Sequence, residues 1–268
     1  MNLYKDIQQL KSLRILVIGD SCVDRYHYGL CERMSPEAPV PVFKHQSFED
    51  KKGMAANVFE NFKSLGVSPE LITNQELIIK SRYIDKKTKQ HLLRVDEGEV
   101  NKTKPLDFSD IKAGLKDFDA IVFSDYNKGF VTDSLVREII RKNKNIKFFV
   151  DSKKNDLSCY ENCIIKINEK EKEENRKLPE KCELIITMGK KGAKWREQSI
   201  PVNNVEVFDV CGAGDTFLVG LVIKYLLTKD ILESIRFANM CASISVQKFG
   251  TYQIKWEDIR EYEKKYRN

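Results

Sequence analysis

Short aliphatic runs and longer amphipathic stretches take turns along most of this chain. Residues 13–19 (LRILVIG) form an apolar run closed by a glycine, the pattern of a strand buried on both faces with a ligand-facing loop at its C-terminal end. The loop after it supplies Asp20, Asp24 and Arg25. Three prolines within 34–42 (MSPEAPVPV) forbid a helix and favour an extended edge segment, and 42–48 continues as a strand. Residues 54–65 carry helical periodicity between Gly53 and Gly66. Two runs, 78–84 and 90–95, flank the turn DKKTK and predict a β-hairpin. From residue 111 onward strands and helices alternate: strands at 120–123, 147–150, 163–167 and 183–187, with a helix over Asp133–Lys142. A β-branched run at 202–207 and an apolar helical run at 217–227 enclose 209–216 (DVCGAGDT), which therefore reads as a joint between strand and helix. Helices over 231–248 and 255–266 close the chain.

This order predicts an α/β fold: one domain over 1–268, a mostly parallel sheet with helices on both faces, and a small β lid from about 36–50 and 78–97. Ligands of such sheets gather at the C-terminal ends of the strands, and the polar clusters fall there. Asp125 and Lys128 follow one strand, Asp151 and Lys153 the next, Asn168 and Glu171 the third, and Thr187, Gly189 and Gly192 the fourth.

The chemistry concentrates in DVCGAGDT. Gly212, Ala213 and Gly214 let the backbone approach a ligand, and the free N–H groups of the helix start, with the positive end of its dipole, suit an anion. Asp215 then stands within reach of that anion. A carboxylate repels bound phosphate but can take a proton from an attacking hydroxyl, which points to phosphoryl transfer. The plainer reading is a capped helix start. Asp24 suits two hydroxyls of a polyol or a turn, Asn57 a sugar hydroxyl or a backbone cap, and Lys153 a phosphate or plain solvent.

Composition narrows the field. The net charge of +6 comes mostly from lysine interleaved with acid, without the arginine and aromatic pattern that reads nucleic acid, so an anionic small substrate fits better. Seven cysteines, without paired CxxC spacing, predict reduced thiols and no zinc site, and three scattered histidines offer no compact metal cluster. No apolar stretch is long enough to span a membrane and the start lacks a signal-peptide core, which predicts a soluble, cytoplasmic protein. Exposed edges on the lid hairpin predict a homodimer that pairs twin lids.

The run from Asp209 to Thr216 resembles the C-terminal signature of the phosphofructokinase-B or ribokinase-like carbohydrate kinases. Gly19-Asp20 through Asp24-Arg25-Tyr26, Ser35-Pro36-Glu37-Ala38-Pro39-Val40-Pro41, Ser124-Asp125-Tyr126 with Lys128-Gly129, and Phe237-Ala238-Asn239 with Gly250-Thr251 are similar, more narrowly, to the heptose 7-phosphate kinases of that family. The resemblance implies a three-layer α/β/α sandwich with a β lid, and ATP-dependent phosphorylation of the anomeric hydroxyl of a heptose 7-phosphate. It implies Asp215 as base, Asn168 and Glu171 near Mg2+ and the ATP phosphates, with Glu171 as the metal residue, and Thr187, Gly189, Gly192 and Asn239 around the nucleotide. Asp24, Gly53 and Asn57 match the sugar side, with Asp125 and Lys153 assigned beside them. Three departures stand out: Gly53-Met54 where the family has a glycine pair, Cys211 in place of a threonine, and a stretch from Gly66 to Ile78 too short for most of a strand-helix unit. A kinase for another sugar or nucleoside, and a non-catalytic binding subunit, are the competing expectations.

Overall fold

The computed structural model describes residues 9–99, 103–111, 114–174 and 177–266. In chain order it runs β1 (Arg14–Gly19), β2 (Ser21–Met34), β3 (Pro41–Met54), α1 (Ala55–Ser64), β4 (Ser68–Thr73), β5 (Ile79–Asp85) and β6 (His91–Glu97). Then come β7 (Ala120–Asp125), α2 (Asp133–Lys142), β8 (Lys147–Ser152), β9 (Cys163–Asn168), α3 (Glu169–Glu173) and β10 (Cys182–Thr187). The chain ends with β11 (Ala193–Trp195), β12 (Gln198–Ile200), α4 (Ala213–Thr228), α5 (Ile231–Ser245) and α6 (Trp256–Tyr266).

Eight strands form the main sheet in the order β12-β11-β10-β9-β8-β7-β1-β4, parallel from β4 through to β10. Its strands are apolar on both sides, so each residue along them feeds one of two cores. Ile15 and Val17 of β1, Val122 of β7 and Phe149 of β8 pack against α1, α4, α5 and α6. Leu16, Ile18, Ile121, Phe123, Phe148 and Val150 face the other way, against α2 and the turn around Leu157 and Tyr160. The result is three layers.

Helix α4 is buried on nearly all sides; Phe217, Leu218, Val219, Leu221, Val222 and Ile223 have at most 2% of their surface exposed. Each such side chain contributes on the order of 2 kcal/mol by leaving water. Its N-terminus is therefore a rigid platform, aimed at the C-terminal ends of β9 and β10.

A second sheet, β3-β2-β5-β6, stands beside the first. β2 pairs with β3 antiparallel and with β5 parallel, and β5 with β6 antiparallel. This lid contains the hairpin expected from 78–84 and 90–95, but it also takes in Ser21–Met34, read from sequence as a loop at its start. Cys22, Asp24 and Tyr26 alternate inward there, and the aspartate at an inward position breaks the apolar signal that marks most strands. Only one residue, Asp20, separates β1 from β2, and none separates β3 from α1.

Two further expectations are corrected. Residues 202–207 form no strand: the sheet ends at β12, no neighbour is left to pair with, and Asn203-Asn204 interrupts the run. The site's joint is thus a crossing segment into a helix. The short stretch after Gly66 keeps its strand, β4, parallel to β1; what it lacks is a helix between Thr73 and Ile79. No helix among the described residues is long and apolar enough to cross a membrane.

Candidate active site

Gly212 caps α4 with φ +75°, and a Cβ there would lie 2.8 Å from Asn57 Nδ2. Glycine is therefore needed twice over, for the left-handed turn and for the approach of Asn57. Three residues on, Asp215 is 4% exposed. Asn57 Nδ2 donates to its Oδ2 at 2.8 Å, and the Tyr126 hydroxyl donates to its Oδ1 at 2.9 Å. Burial, helped by the charge of Asp151, raises its pKa to about 6 against the pull of Asn57, Tyr126 and Lys166. A carboxylate near 6 is ionised at neutral pH and a stronger base than a surface aspartate.

Beside the helix start lies a cavity of about 360 Å³, lined by Tyr126, Asp151, Lys153, Lys166, Asn168, Thr187, Gly189, Val210, Gly212, Gly214 and Asp215. Lys166 sits under Gly214, where a Cβ would come within 2.8 Å of its ammonium nitrogen. That ammonium bonds Asp151 Oδ2, and Lys153 bridges Asp151 Oδ1 at 3.2 Å and Glu171 Oε1 at 2.6 Å. Burial alone would raise the pKa of Asp151, but the two lysines outweigh it and hold it at about 2. Burial likewise opposes the charge on Lys153, and Asp151 and Glu171 more than compensate, so its pKa is raised. Two fixed lysines beside the N–H groups of Gly214 and Asp215, which have no intrahelical partner, make a cradle for phosphate. The Ala213 N–H, expected to share in it, is taken instead by the Val210 carbonyl at 3.2 Å, which closes the turn into the helix.

A second cavity of about 370 Å³ shares Thr187, Gly189, Val210 and Gly214 with the first. Its wall is largely apolar, with Val202, Val205, Val207, Phe217, Ala242 and Val246, and its polar groups include Asn203, Asn204 and Asn239. A flat heterocycle fits this end and a phosphate chain the other, so the two cavities form one trough that ends at Asp215.

The structure brings Thr187, Gly189, Gly192 and Asn239 together on the larger cavity. Asn239 donates to the Ile200 carbonyl at 3.0 Å. Asn168 and Glu171 form a reciprocal capping box on α3: the Asn168 side chain accepts from Glu171 N–H, and Glu171 Oε2 accepts from Asn168 N–H at 2.9 Å. Asn168 lines the trough and Glu171 stands behind it.

On the lid, Asp24 takes Arg82 in a buried ion pair, and Gly53 lies so close that a Cβ would meet Asp24 Oδ2 at 2.5 Å. Asn57 is fully buried, its oxygen accepting from Asn61 and Gln253, so its amide is committed to holding Asp215. Asp125 lies beneath the trough floor, fully buried, taking bonds from Tyr160, Ser152 and Lys154. Met54 has φ +59° and is 4% exposed, packed with Cys22, Ile78 and Tyr126.

Sequence reasoning did not single out Tyr126, Lys166 or Arg82 for roles. Lys166 had a signal, a lone lysine inside the apolar run CIIKIN, which only a buried anion makes tolerable. Tyr126 and Arg82 acquire theirs only through contacts distant in sequence.

A trough with a nucleotide-shaped end, a cradle of lysines and helix N–H groups and a buried base defines a phosphotransferase site. Residues 59–258 match the model of the pfkB family of carbohydrate kinases, and the chain belongs to that family. It is a kinase whose acceptor is a carbohydrate alcohol. It is 30% identical to the bifunctional protein HldE of Aliarcobacter butzleri over 94% of its own length and 65% of that relative's, so it spans about two thirds of the relative. Phosphofructokinase-2 from Escherichia coli, solved with potassium, shares its fold with a TM-score of 0.74 at 16% identity, covering 96% of this chain and 100% of that one. Ribokinase from Arabidopsis thaliana, solved with ribose and ATP, gives a TM-score of 0.67 at 15% identity, covering 93% and 98%. The fold is ribokinase-like.

Proposed function

We propose that the protein transfers the terminal phosphate of ATP to the anomeric hydroxyl of D-glycero-D-manno-heptose 7-phosphate, giving the 1,7-bisphosphate. The observation that carries the transfer is Asp215, buried at the start of α4 where the trough ends. The heptose rests on the run Ser35 to Pro41 and its companions, and on the likeness to HldE. ATP fits the trough with its base among Val202, Val205 and Val207 and its phosphates toward Lys153, Lys166 and the helix N–H groups. The sugar lies between Asp215 and the inner face of the lid, with Asp24 and Gly53 above it. Asp215 accepts the hydroxyl proton as the oxygen bonds to phosphorus, and the cradle balances the charge that develops.

The residues fit a Mg2+ that arrives with the nucleotide. Among the described residues no three acidic, histidine or cysteine side chains converge on one point, so most of its shell would be phosphate and water. Asp151 and Asp215 are the carboxylates that line the trough, whereas Glu171, expected from the resemblance to hold the metal, stands behind it with its oxygens on Lys153 and the Asn168 N–H. When bound, such an ion neutralises charge on the phosphate oxygens.

One observation favours a second acceptor. Met54 holds a left-handed φ where the resembling kinases have glycine, and its side chain fills space beside Tyr126. A different sugar, sugar phosphate or nucleoside would suit a reshaped pocket. ADP release measured across phosphorylated and free sugars separates the two readings: good turnover of another acceptor with none of any heptose phosphate sinks the first.

A homodimer through the lid belongs to the same proposal. Phe48, His27, Tyr83 and Leu93 form one row across the four lid strands, and Phe48 and Leu93 are each 56% exposed. A twin lid would cover that row. Light scattering should give a dimer that Leu93→Asp dissociates; a monomer at all micromolar concentrations refutes it.

A further inference from the structure

We propose that Tyr126 takes the acceptor's place on the base while no acceptor is bound, and that this contact suppresses transfer of phosphate to water. The inference rests on reading the site as an ATP-dependent kinase.

The two oxygens of Asp215 are not equivalent. Oδ2 is held by Asn57, which is fully buried and fixed by Asn61 and Gln253, so that bond is permanent. Oδ1 is held by the Tyr126 hydroxyl, and Tyr126 lines the phosphate end of the trough. A base must lie within about 3 Å of the proton it takes. Oδ1 is therefore the oxygen that receives the acceptor's proton, and an O–H group already occupies the position from which an alcohol would give it.

That group cannot easily react in the acceptor's stead. Burial first, then the charges of Asp215 and Asp151, push the phenol pKa far above its ordinary value, so it stays a protonated donor. Its backbone is pinned: Asp20 Oδ2 accepts from Tyr126 N–H at 2.8 Å, and Asn127 beyond it adopts φ +57° with its N–H on Asp125 Oδ1. Exchange of phenol for alcohol then needs only movement of the side chain.

In the absence of acceptor and phenol, a water would settle on Oδ1 beside bound ATP. Its oxygen would bond to the terminal phosphorus, the bond from that phosphorus to the ADP oxygen would break, and its proton would go to Asp215, leaving ADP and inorganic phosphate. The phenol denies water that position. A sugar hydroxyl, carried in with the binding energy of the rest of the sugar, displaces it.

The test is ADP release by the full chain with ATP and Mg2+ and no sugar, for the wild type, Tyr126→Phe and the double variant with Asp215→Asn. Tyr126→Phe removes one oxygen and keeps the ring. Acceptor-free ADP release should rise tenfold or more in Tyr126→Phe and return to the wild-type level in the double variant. Its acid limb should also move to higher pH, since Asp215 has lost a donor. Unchanged or lower acceptor-free release in a folded Tyr126→Phe overturns the proposal. Sugar turnover by the wild type without that rise removes the Tyr126 role and leaves the acceptor reading standing. Aspartate-dependent hydrolysis in Tyr126→Phe, with no sugar turned over by the wild type, does the reverse.

Discussion

Replacing Asp215 by asparagine should abolish most activity and stabilise the protein at the same time. The carboxyl titrates near pH 6 in the fold against an ordinary value of 3.8, because burial penalises its charge. A rise of about 2 pK units corresponds to about 3 kcal/mol that the ionised group costs the native state. The sign follows from linkage. Below pH 3.8 the group is neutral folded and unfolded and costs nothing; the penalty grows as pH rises from 3.8 to about 6 and is complete above. Asparagine carries no charge and keeps an oxygen for Asn57, while its NH2 meets the Tyr126 hydroxyl, which can turn to accept. The variant should thus be more stable than wild type by up to about 3 kcal/mol at pH 8, or roughly 5 °C in Tm for a chain of this length. The gain should shrink as pH falls through 6 and vanish near 4. Calorimetry of both proteins at pH 8 and pH 4.5 reads this directly, and a coupled assay should show turnover lower by roughly 10²–10⁴ with nucleotide binding intact. Wild-type kcat/KM should itself fall below about pH 6 as the base is protonated. A Tm gain of the same size at both pH values, or a loss at pH 8, would refute the account of Asp215 as a charge held against its solvation.

Lys166→Met leaves the buried Asp151 with Lys153 alone and should cost roughly 3 kcal/mol at pH 7 in a urea melt. Because Asp151 is held at about 2, that loss should fade only as pH drops from 3.8 toward 2; a loss constant over that range would refute the assignment. Gly192→Ala places a Cβ 2.1 Å from the Ile200 carbonyl oxygen at φ +91°, so the β10 to β11 turn must shift. Its KM for ATP should rise several-fold with a Tm lower than wild type, and an unaltered KM would contradict the placing of this turn at the trough.

The sequence revealed the parallel strands because burial on both faces writes unbroken aliphatic runs, and it revealed DVCGAGDT because a phosphate cradle needs small residues at a helix start. It concealed β2, whose inward Asp24 is made acceptable by Arg82, a partner 58 positions away. It misjudged 202–207, since β-branched residues suit the wall of an apolar cavity as well as a strand. Asp125 and Asn57 show the same limit. The sequence places both on the sugar side, yet Asp125 accepts from Tyr160 and Ser152, and Asn57 donates to Asp215. Position along a strand tells which end of the sheet a residue occupies, not which neighbour its side chain meets.

The absence of slack where the lid leaves the main sheet has a mechanical result. One lid strand departs through Asp20, whose carboxylate grips the backbone of Tyr126; the other becomes, at Met54, the helix that carries Asn57. The two donors on Asp215 are thus geared to the two roots of the lid. A tilt of that flap would shift both donors together, and with them the proton affinity of the base.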